Sequence, residues 1–394
     1  MTKALHTLRA GVIGTGFIGP VHIEALKRLG VQVTAICGST RNARATADRW
    51  GIPEVYGDYD VEALYRSPNV DVVHITSPNK AHVEQSLLAL KAGKHVICEK
   101  PLGMNSRDTS RVVEAVRKGG KQGPVFAVNY MCRFFPAVLQ MRRMVERGDL
   151  GQIIHVQGHF FQDWLLKQTD YNWRILSGEG GKLRAVGDIG THWIDAVSFI
   201  LGAKAEAIHA TLETFHKKRL RPKGEVQTFA KIDPKTMVPY KVDTEDFASI
   251  LLRFGKAAHG NAKGVHANCS VSQVAAGWKC SLAVGIYGTN GSVRWDLQQP
   301  NEIIVGRRDE PNQILQRGTA GFMEDVAEFT DYPGGHPEGF PDSHKMHYRA
   351  VYQHIASGRQ TTPLFATAED GHYEVRLCEA ALESHSRDSW VKIV

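Results

Sequence analysis

Residues 8–19 hold the feature that most restricts this chain. Residues 8–13 form a short apolar run that leads directly into Gly14-Thr15-Gly16-Phe17-Ile18-Gly19. Residues 21–29 follow with apolar side chains at helical spacing and charges on the opposite side. An apolar strand, then G-x-G-x-x-G, then an amphipathic helix is the order in which a βαβ unit holds a pyrophosphate. Gly14 permits the tight turn, Gly16 lets the backbone approach phosphate, and Gly19 lets helix and strand pack closely. The helix start at Phe17 and Ile18 offers free N–H groups and a partial positive charge. These five residues are the expected dinucleotide-binding turn.

Strand and helix alternate beyond that turn. Apolar, β-branched runs at 31–37, 70–76, 95–98 and 125–129 are separated by helical patterns at 42–50, 82–92 and 106–118. Continuous apolar strands joined by helices imply a parallel sheet covered on both faces. After about residue 124 the pattern changes. Helical segments at 136–147 and 188–201 frame a strand at 153–161. Further strand candidates then follow at 207–215, 247–254, 257–267, 281–287, 292–296 and 302–305. Consecutive strands read as an antiparallel sheet. The last residues return to helix at 347–357 and 368–386. The expected fold class is therefore α/β. An N-terminal Rossmann domain (1–124), a doubly wound parallel sheet, precedes a C-terminal α+β domain (125–394). That second domain carries a large, mostly antiparallel open sheet. A glycine- and proline-rich stretch at 334–341 reads as a long loop able to border a site.

Composition removes several classes. Hydrophobic residues make up 42% of the 394 positions, enough for substantial cores, which excludes a disordered chain. No run of 18 apolar residues exists, so no membrane span is expected. The N-terminus has no apolar signal core, and the six scattered cysteines form no CxxC pair. Both point to a reducing, cytoplasmic setting. The net charge of +7 is spread along the chain. Its densest cluster, 216–223, reads as a solvated loop, so no nucleic-acid partner is expected. His344 and His347 have no carboxylate or cysteine at ligand spacing, so no metal is expected.

Two more strand ends carry candidate chemistry. The second strand should meet the adenosine ribose, where an acidic residue binds a 2′-hydroxyl and repels a 2′-phosphate. Here Ser39, Thr40 and Arg41 occupy that place, with Arg44 one turn on. This tilts the cofactor toward NADP, with NAD the alternative. The fourth apolar run ends in Glu99-Lys100-Pro101. A lysine at the C-terminal edge of a parallel sheet can hold a substrate hydroxyl and help move a proton. Ordinary strand-end ion pairing is the alternative.

The glycine turn, Ser77-Pro78-Asn79-Lys80-Ala81-His82, Glu99-Lys100-Pro101 and Gly187-Asp188-Ile189-Gly190-Thr191-His192 occur here in this order. Together they resemble the Gfo/Idh/MocA oxidoreductase family over nearly the whole chain. The resemblance implies oxidation of a hydroxyl of a sugar, anhydrosugar or inositol with NAD or NADP, or the reverse. It places Ser77, Pro78, Asn79, His82, Glu99 and Lys100 at the cofactor, and makes Lys100, Asp188 and His192 the catalytic set. Asn129, Tyr130 and Arg133, with Asp163, Trp164, Trp173 and Arg174, become candidates for the substrate. The last four resemble sugar-dehydrogenase members. The partners implied are a small sugar or cyclitol and other copies of the chain, as a homodimer or homotetramer. Two alternatives within the fold are a glycosidase using tightly held NAD and a non-catalytic sensor of sugars or dinucleotides.

These groups suit alcohol oxidation. The cofactor accepts the hydride, so the protein must supply a base. Asp188 and His192, four apart, are expected on one helical face, and an imidazole suits proton transfer near neutrality. His192 is expected to take the hydroxyl proton, with Lys100 on the same oxygen and Asp188 on a neighbouring hydroxyl. Lys100 as proton acceptor is the alternative. Asp188 could also be a simple helix cap, and Trp164, Trp173 and Trp193 are as suited to a core as to a sugar-stacking wall.

Overall fold

The computed structural model describes residues 5–224, 233–255, 264–318, 321–360 and 362–393. They form two compact units. One comprises the described residues of 5–131 and Phe340–Val375, the other those of 132–339 and 376–393.

The first unit is a six-stranded parallel sheet of β1 (Arg9–Ile13), β2 (Gln32–Cys37), β3 (Glu54–Tyr56), β4 (Val72–Ile75), β5 (His95–Cys98) and β6 (Phe126–Val128). The strand order is β3-β2-β1-β4-β5-β6, and every neighbouring pair is parallel. Helices α1 (Ile18–Arg28), α2 (Thr40–Trp50), α3 (Val61–Arg66), α4 (His82–Lys91) and α5 (Ser106–Gly119) connect them. The central strands are buried almost throughout, as their continuous Val, Ile and Ala content requires. The order reverses between β1 and β4, the switch point at which open α/β sheets bind ligands. The helix Phe340–Ala356 belongs to this unit. Arg28 pairs with Asp342 at 2.5 Å, and the Val128 N–H donates to the Ala366 carbonyl at 2.8 Å.

The second unit is built on a nine-stranded sheet. Its strands are β7 (Ile153–Phe161), β8 (Ala205–Glu213), β11 (Phe247–Phe254), β12 (His266–Ser272), β13 (Ser281–Gly288), β14 (Ser292–Asp296), β15 (Glu302–Gly306), β16 (Gln313–Gln316) and β17 (Val391–Lys392). The small pair β9 (Lys218–Arg221) and β10 (Val238–Lys241) lies apart from it. The order is β16-β15-β14-β13-β7-β12-β11-β8-β17, antiparallel except between β12 and β7. Burial alternates along β11, where Ala248, Ile250, Leu252 and Phe254 are covered and Ser249, Leu251 and Arg253 are exposed. Helices α6 (Pro136–Arg147) and Thr191–Leu201 pack on the covered face, where the Trp193 Nε1–H donates to the Ala283 carbonyl at 2.8 Å.

The expected class, a Rossmann sheet followed by a mostly antiparallel sheet, is what is observed. Several local readings change. Of the strand expected at 257–267, residues 257–263 lie outside the described residues, while 266 and 267 open β12. The helix expected from 347 begins seven residues earlier, at Phe340. The short elements β3, α3, β9, β10 and β16 were not anticipated, since three to six residues carry little periodicity. The basic stretch expected to be a solvated loop contains β9. Arg219 there is buried, its guanidinium on Asp246 at 2.7 Å and on the Leu165 and Lys167 carbonyls. Among the described residues no helix is long and apolar enough to cross a membrane.

Candidate functional site

The glycine turn lies at the sheet's switch point in the first unit. Gly14 takes φ +109°, and a Cβ there would stand 2.5 Å from Thr76 Oγ1. A Cβ at Gly19 would stand 2.3 Å from the Gly14 carbonyl oxygen, so strand and helix touch through these two glycines. Gly16 differs: a Cβ there would meet nothing within 4 Å. The backbone at Gly16 thus faces open space beside the start of α1, whose first turn has no side-chain cap. Two unfillable glycines fix the turn and the third leaves a cradle, so the residues present fit a dinucleotide pyrophosphate.

The neighbouring strand ends complete this edge. Thr76, after β4, donates through its hydroxyl to the Ile13 carbonyl at 2.8 Å. Ser77 donates to Gln85 Oε1 at 2.6 Å, Pro78 is exposed, and Asn79 is buried. His82 is buried with Nδ1 2.7 Å from the Pro101 carbonyl oxygen and Nε2 2.8 Å from that of Ser77. It therefore ties the loop after β4 to the loop after β5, and so to Lys100. The Lys100–Pro101 peptide is cis, and Lys100 is half-buried.

Beneath Lys100 lies a buried polar network within the same unit. Glu99 Oε1 accepts from His22 Nε2 at 3.0 Å and from Asn129 Nδ2. Its Oε2 accepts the Lys100 N–H at 3.2 Å. His22 Nδ1 and His74 Nδ1 are 2.9 Å apart, so one donates and the other accepts. His74 Nε2 meets the Tyr352 hydroxyl at 3.1 Å, and His344 Nδ1 meets those of Tyr348 (3.0 Å) and the Asn129 amide (3.3 Å). Burial opposes ionisation of Glu99, but the His22 hydrogen bond and the charges of His22 and Lys100 hold its carboxyl well below the usual range. Burial, with His22 and His347 nearby, pushes His74 down, and burial with His22 pushes His344 down to about 3. Lys100 therefore has a fixed carboxylate directly behind it. Sequence reading found Glu99 and Asn129. It missed His22, His74, His344, Tyr348 and Tyr352, whose positions show no motif.

The candidates of the second unit fall into three groups. Asp188 is half-buried, with Oδ1 on Arg174 Nε at 3.2 Å and Oδ2 accepting from Gln273 Nε2 at 2.8 Å. His192 is 9% exposed, with Nδ1 3.8 Å from Cys132 Sγ and its ring beside Phe160. The two residues were expected in one α-helix, but Val186–Gly190 is a π-helical turn that passes into the α-helix Thr191–Leu201. Asp188 is therefore mid-turn and not the helix cap considered for it. The wide turn is anchored by Glu245, whose oxygens accept the Arg184 N–H at 2.9 Å and the Val186 N–H at 2.8 Å. Burial lifts the Glu245 carboxyl to about 7, and those two N–H groups offset only part of this. Gln273 and Glu245 gave no signal in the sequence, because each acts through a long-range contact.

The second group is internal. Arg133 is buried, its guanidinium on Asp195 at 2.5 and 2.9 Å, and Trp193 is fully buried. In the first unit Tyr130 is likewise fully buried. The third group is half-buried. Trp164 donates to Gln162 Oε1 at 2.7 Å, and the Arg174 guanidinium lies 4.4 Å over the Trp173 ring. Asp163 accepts from Lys279 Nζ at 2.8 Å, a bond that holds its carboxyl low.

At the C-terminal end of β2, Ser39, Thr40 and Arg41 stand at the start of α2. A carboxylate is nevertheless present. Thr40 Oγ1 donates at 2.6 Å to Asp58, which arrives from the loop after β3.

Residues 8–129 match the model of an oxidoreductase family with an NAD-binding Rossmann fold (GFO_IDH_MocA), and residues 138–294 match the GFO/IDH/MocA C-terminal domain. The chain is 26% identical to levoglucosan dehydrogenase of Pseudarthrobacter phenanthrenivorans over 99% of both chains. It is 36% identical to inositol 2-dehydrogenase of Salmonella typhimurium over 39% of this chain and 46% of that one. The solved structure of levoglucosan dehydrogenase in complex with NADH and L-sorbose superposes with a TM-score of 0.85 at 25% identity, covering 98% of this chain and 99% of the other. Two successive family models, a full-length relative and the shared fold agree with the glycine turn and the Glu99-Lys100-Pro101 strand end: the chain belongs to the Gfo/Idh/MocA oxidoreductase family.

Proposed function

We propose that this chain is an NAD(P)-dependent dehydrogenase that transfers a hydride between the nicotinamide and a hydroxyl carbon of a sugar, anhydrosugar or inositol. The observation that carries the reading is Lys100. It stands at the same sheet edge as the open Gly16 cradle, with the ionised Glu99 behind it. When bound, the dinucleotide supplies hydride acceptance and donation. The chain supplies the rest. Lys100 donates a hydrogen bond to the reacting hydroxyl oxygen and stabilises negative charge as it develops there. His192 accepts the hydroxyl proton, its neighbours Phe160 and Cys132 limiting how the ring can turn. Asp188, fixed by Arg174 and Gln273, accepts from an adjacent hydroxyl.

Asp163, Trp164, Trp173 and Arg174 are the substrate-facing side chains in this reading. Asn129 and Arg133, committed to Glu99 and Asp195, act by positioning those partners. The full-length likeness to levoglucosan dehydrogenase favours an anhydrosugar or pyranose over a linear polyol. Assembly as a homodimer or homotetramer fits the large sheet, which leaves Ile154, Leu251 and Ile314 exposed.

The test is a panel of anhydrosugars, pyranoses and inositols with NAD and with NADP, following absorbance of the reduced nicotinamide. Lys100→Ala should lower kcat by about a thousandfold while leaving dinucleotide affinity near normal. Unchanged turnover in that variant overturns the assignment. Retained cofactor with glycoside cleavage and no net reduction identifies the hydrolase alternative.

A further inference from the structure

At the edge of the first unit beside the glycine turn, the end of β2 and the loop after β3 form a close junction. The Gly14 N–H donates to the Cys37 carbonyl at 2.9 Å, so the glycine turn abuts the end of β2. Gly38 follows, and a Cβ there would stand 3.0 Å from the Thr15 side chain. The loop after β3 then folds down onto this point. The Gly38 N–H donates to the Tyr56 carbonyl at 3.2 Å, and the Tyr59 N–H donates to the Gly38 carbonyl at 3.0 Å. The Asp58 N–H donates to Thr40 Oγ1 at 3.2 Å, and that hydroxyl donates to Asp58 Oδ1 at 2.6 Å. A Cβ at Gly57 would stand 2.5 Å from Thr40 Oγ1, so only glycine lets the loop close here.

The closure forces an uncommon backbone. Asp58 and Tyr59 take φ of +50° and +59°, left-handed at two successive residues that carry side chains. Such strain persists where surrounding contacts impose it, and it often marks a functional loop. Its effect here is to present an exposed carboxylate beside Thr40. The second oxygen of Asp58, Oδ2, has no hydrogen-bond partner among the described residues. In dinucleotide-binding sheets the acidic residue that reads the ribose comes from the end of the second strand. In this chain that place holds Ser39 and Thr40, and the carboxylate bonded to Thr40 comes one strand later.

Resting on the dinucleotide reading above, we propose that Asp58 is the ribose-reading carboxylate of this chain. Its free oxygen accepts from a ribose 2′-hydroxyl, and its charge repels a 2′-phosphate. The enzyme therefore prefers NAD to NADP. Arg41 and Arg44, exposed on α2, are the groups that would favour the phosphate instead.

The test compares kcat/KM for NAD and for NADP, with NADH and NADPH binding followed by fluorescence titration. Wild type should favour NAD. Asp58→Asn keeps the shape and the Thr40 contact but removes the charge. It should lower the NAD:NADP ratio about tenfold, the size expected for one charge a few ångströms from a phosphate dianion in water. Most of that change should be gained with NADP. Thr40→Val, which leaves the charge but frees the carboxylate, should move the ratio the same way by less. An unchanged ratio in Asp58→Asn overturns the proposal while leaving the dinucleotide reading intact. A wild-type preference for NADP that Arg41→Ala abolishes also overturns it. Failure of wild type to bind either reduced dinucleotide overturns both.

Discussion

The carboxyl of Glu245 should make the stability of the second unit depend on pH. Glu245 is buried, and burial lifts its carboxyl from 4.5 to about 7, with the Val186 and Arg184 N–H groups offsetting part of the cost. A difference of that size is worth about 3 kcal/mol, at about 1.4 kcal/mol per tenfold change in proton affinity. The folded carboxyl holds its proton more tightly than the unfolded one. Its contribution is therefore fully present below pH 4.5 and is lost as pH rises through 7. Between pH 5 and 8 the expected loss from this group is about 2.5 kcal/mol. Glu245→Gln cannot ionise. It exchanges one of two acceptor oxygens for an NH2 group, which costs roughly 1–3 kcal/mol but equally at every pH. The assay is urea unfolding of both proteins from pH 5 to 8.5, followed by tryptophan fluorescence. All tryptophans except Trp50 lie in the same unit as Glu245. Subtracting the two curves removes every other titration, since those groups are common to both proteins. Wild type should lose about 2.5 kcal/mol more than the variant across the interval. Parallel curves refute the reasoning.

Three further outcomes follow from the first unit. Gly14→Ala should destabilise it by about 2–4 kcal/mol, because φ +109° and a 2.5 Å approach to Thr76 both oppose a Cβ. Gly16→Ala, whose Cβ meets nothing within 4 Å, should unfold at the wild-type temperature yet bind NADH about tenfold more weakly; thermal unfolding and fluorescence titration separate the two effects. His344 gives the opposite pH sign to Glu245. Its folded imidazole is pushed down from 6.5 to about 3, so its contribution is present above pH 6.5 and is lost as pH falls toward 3. By pH 5 that loss should reach about 2 kcal/mol, and His344→Gln should flatten the acid side of the urea-unfolding profile.

The readings that the sequence carried well are those encoded by neighbours along the chain. Gly14, Gly16 and Gly19 were legible because a strand, a turn and a helix lie within about twenty residues, and each glycine answers a local steric demand. The parallel sheet was legible because its strands are continuous apolar runs, and the second sheet because burial alternates along strands such as β11. The position of Lys100 at the sheet edge was legible because it follows an apolar strand. The π-helical turn at Val186–Gly190 was not, because its apolar pattern differs little from that of an α-helix and its anchor, Glu245, is 59 residues from Val186.

What only the tertiary structure decided is how distant side chains meet. Thr40 and Asp58 are 18 positions apart, Asp188 and Gln273 are 85 apart, and His74 and Tyr352 are 278 apart. No periodicity links such pairs, since hydrophobic patterning specifies which face is buried and not which polar groups satisfy one another there. Burial then sets the chemistry that sequence cannot supply: it keeps His344 neutral and lifts Glu245 toward neutrality. At Glu99 the partners outweigh burial and keep the carboxyl charged. The sequence by itself determined the two sheets and the phosphate turn. The ionisation of the groups around them belongs to the folded chain, because the cost of a buried charge depends on partners that only folding brings within reach.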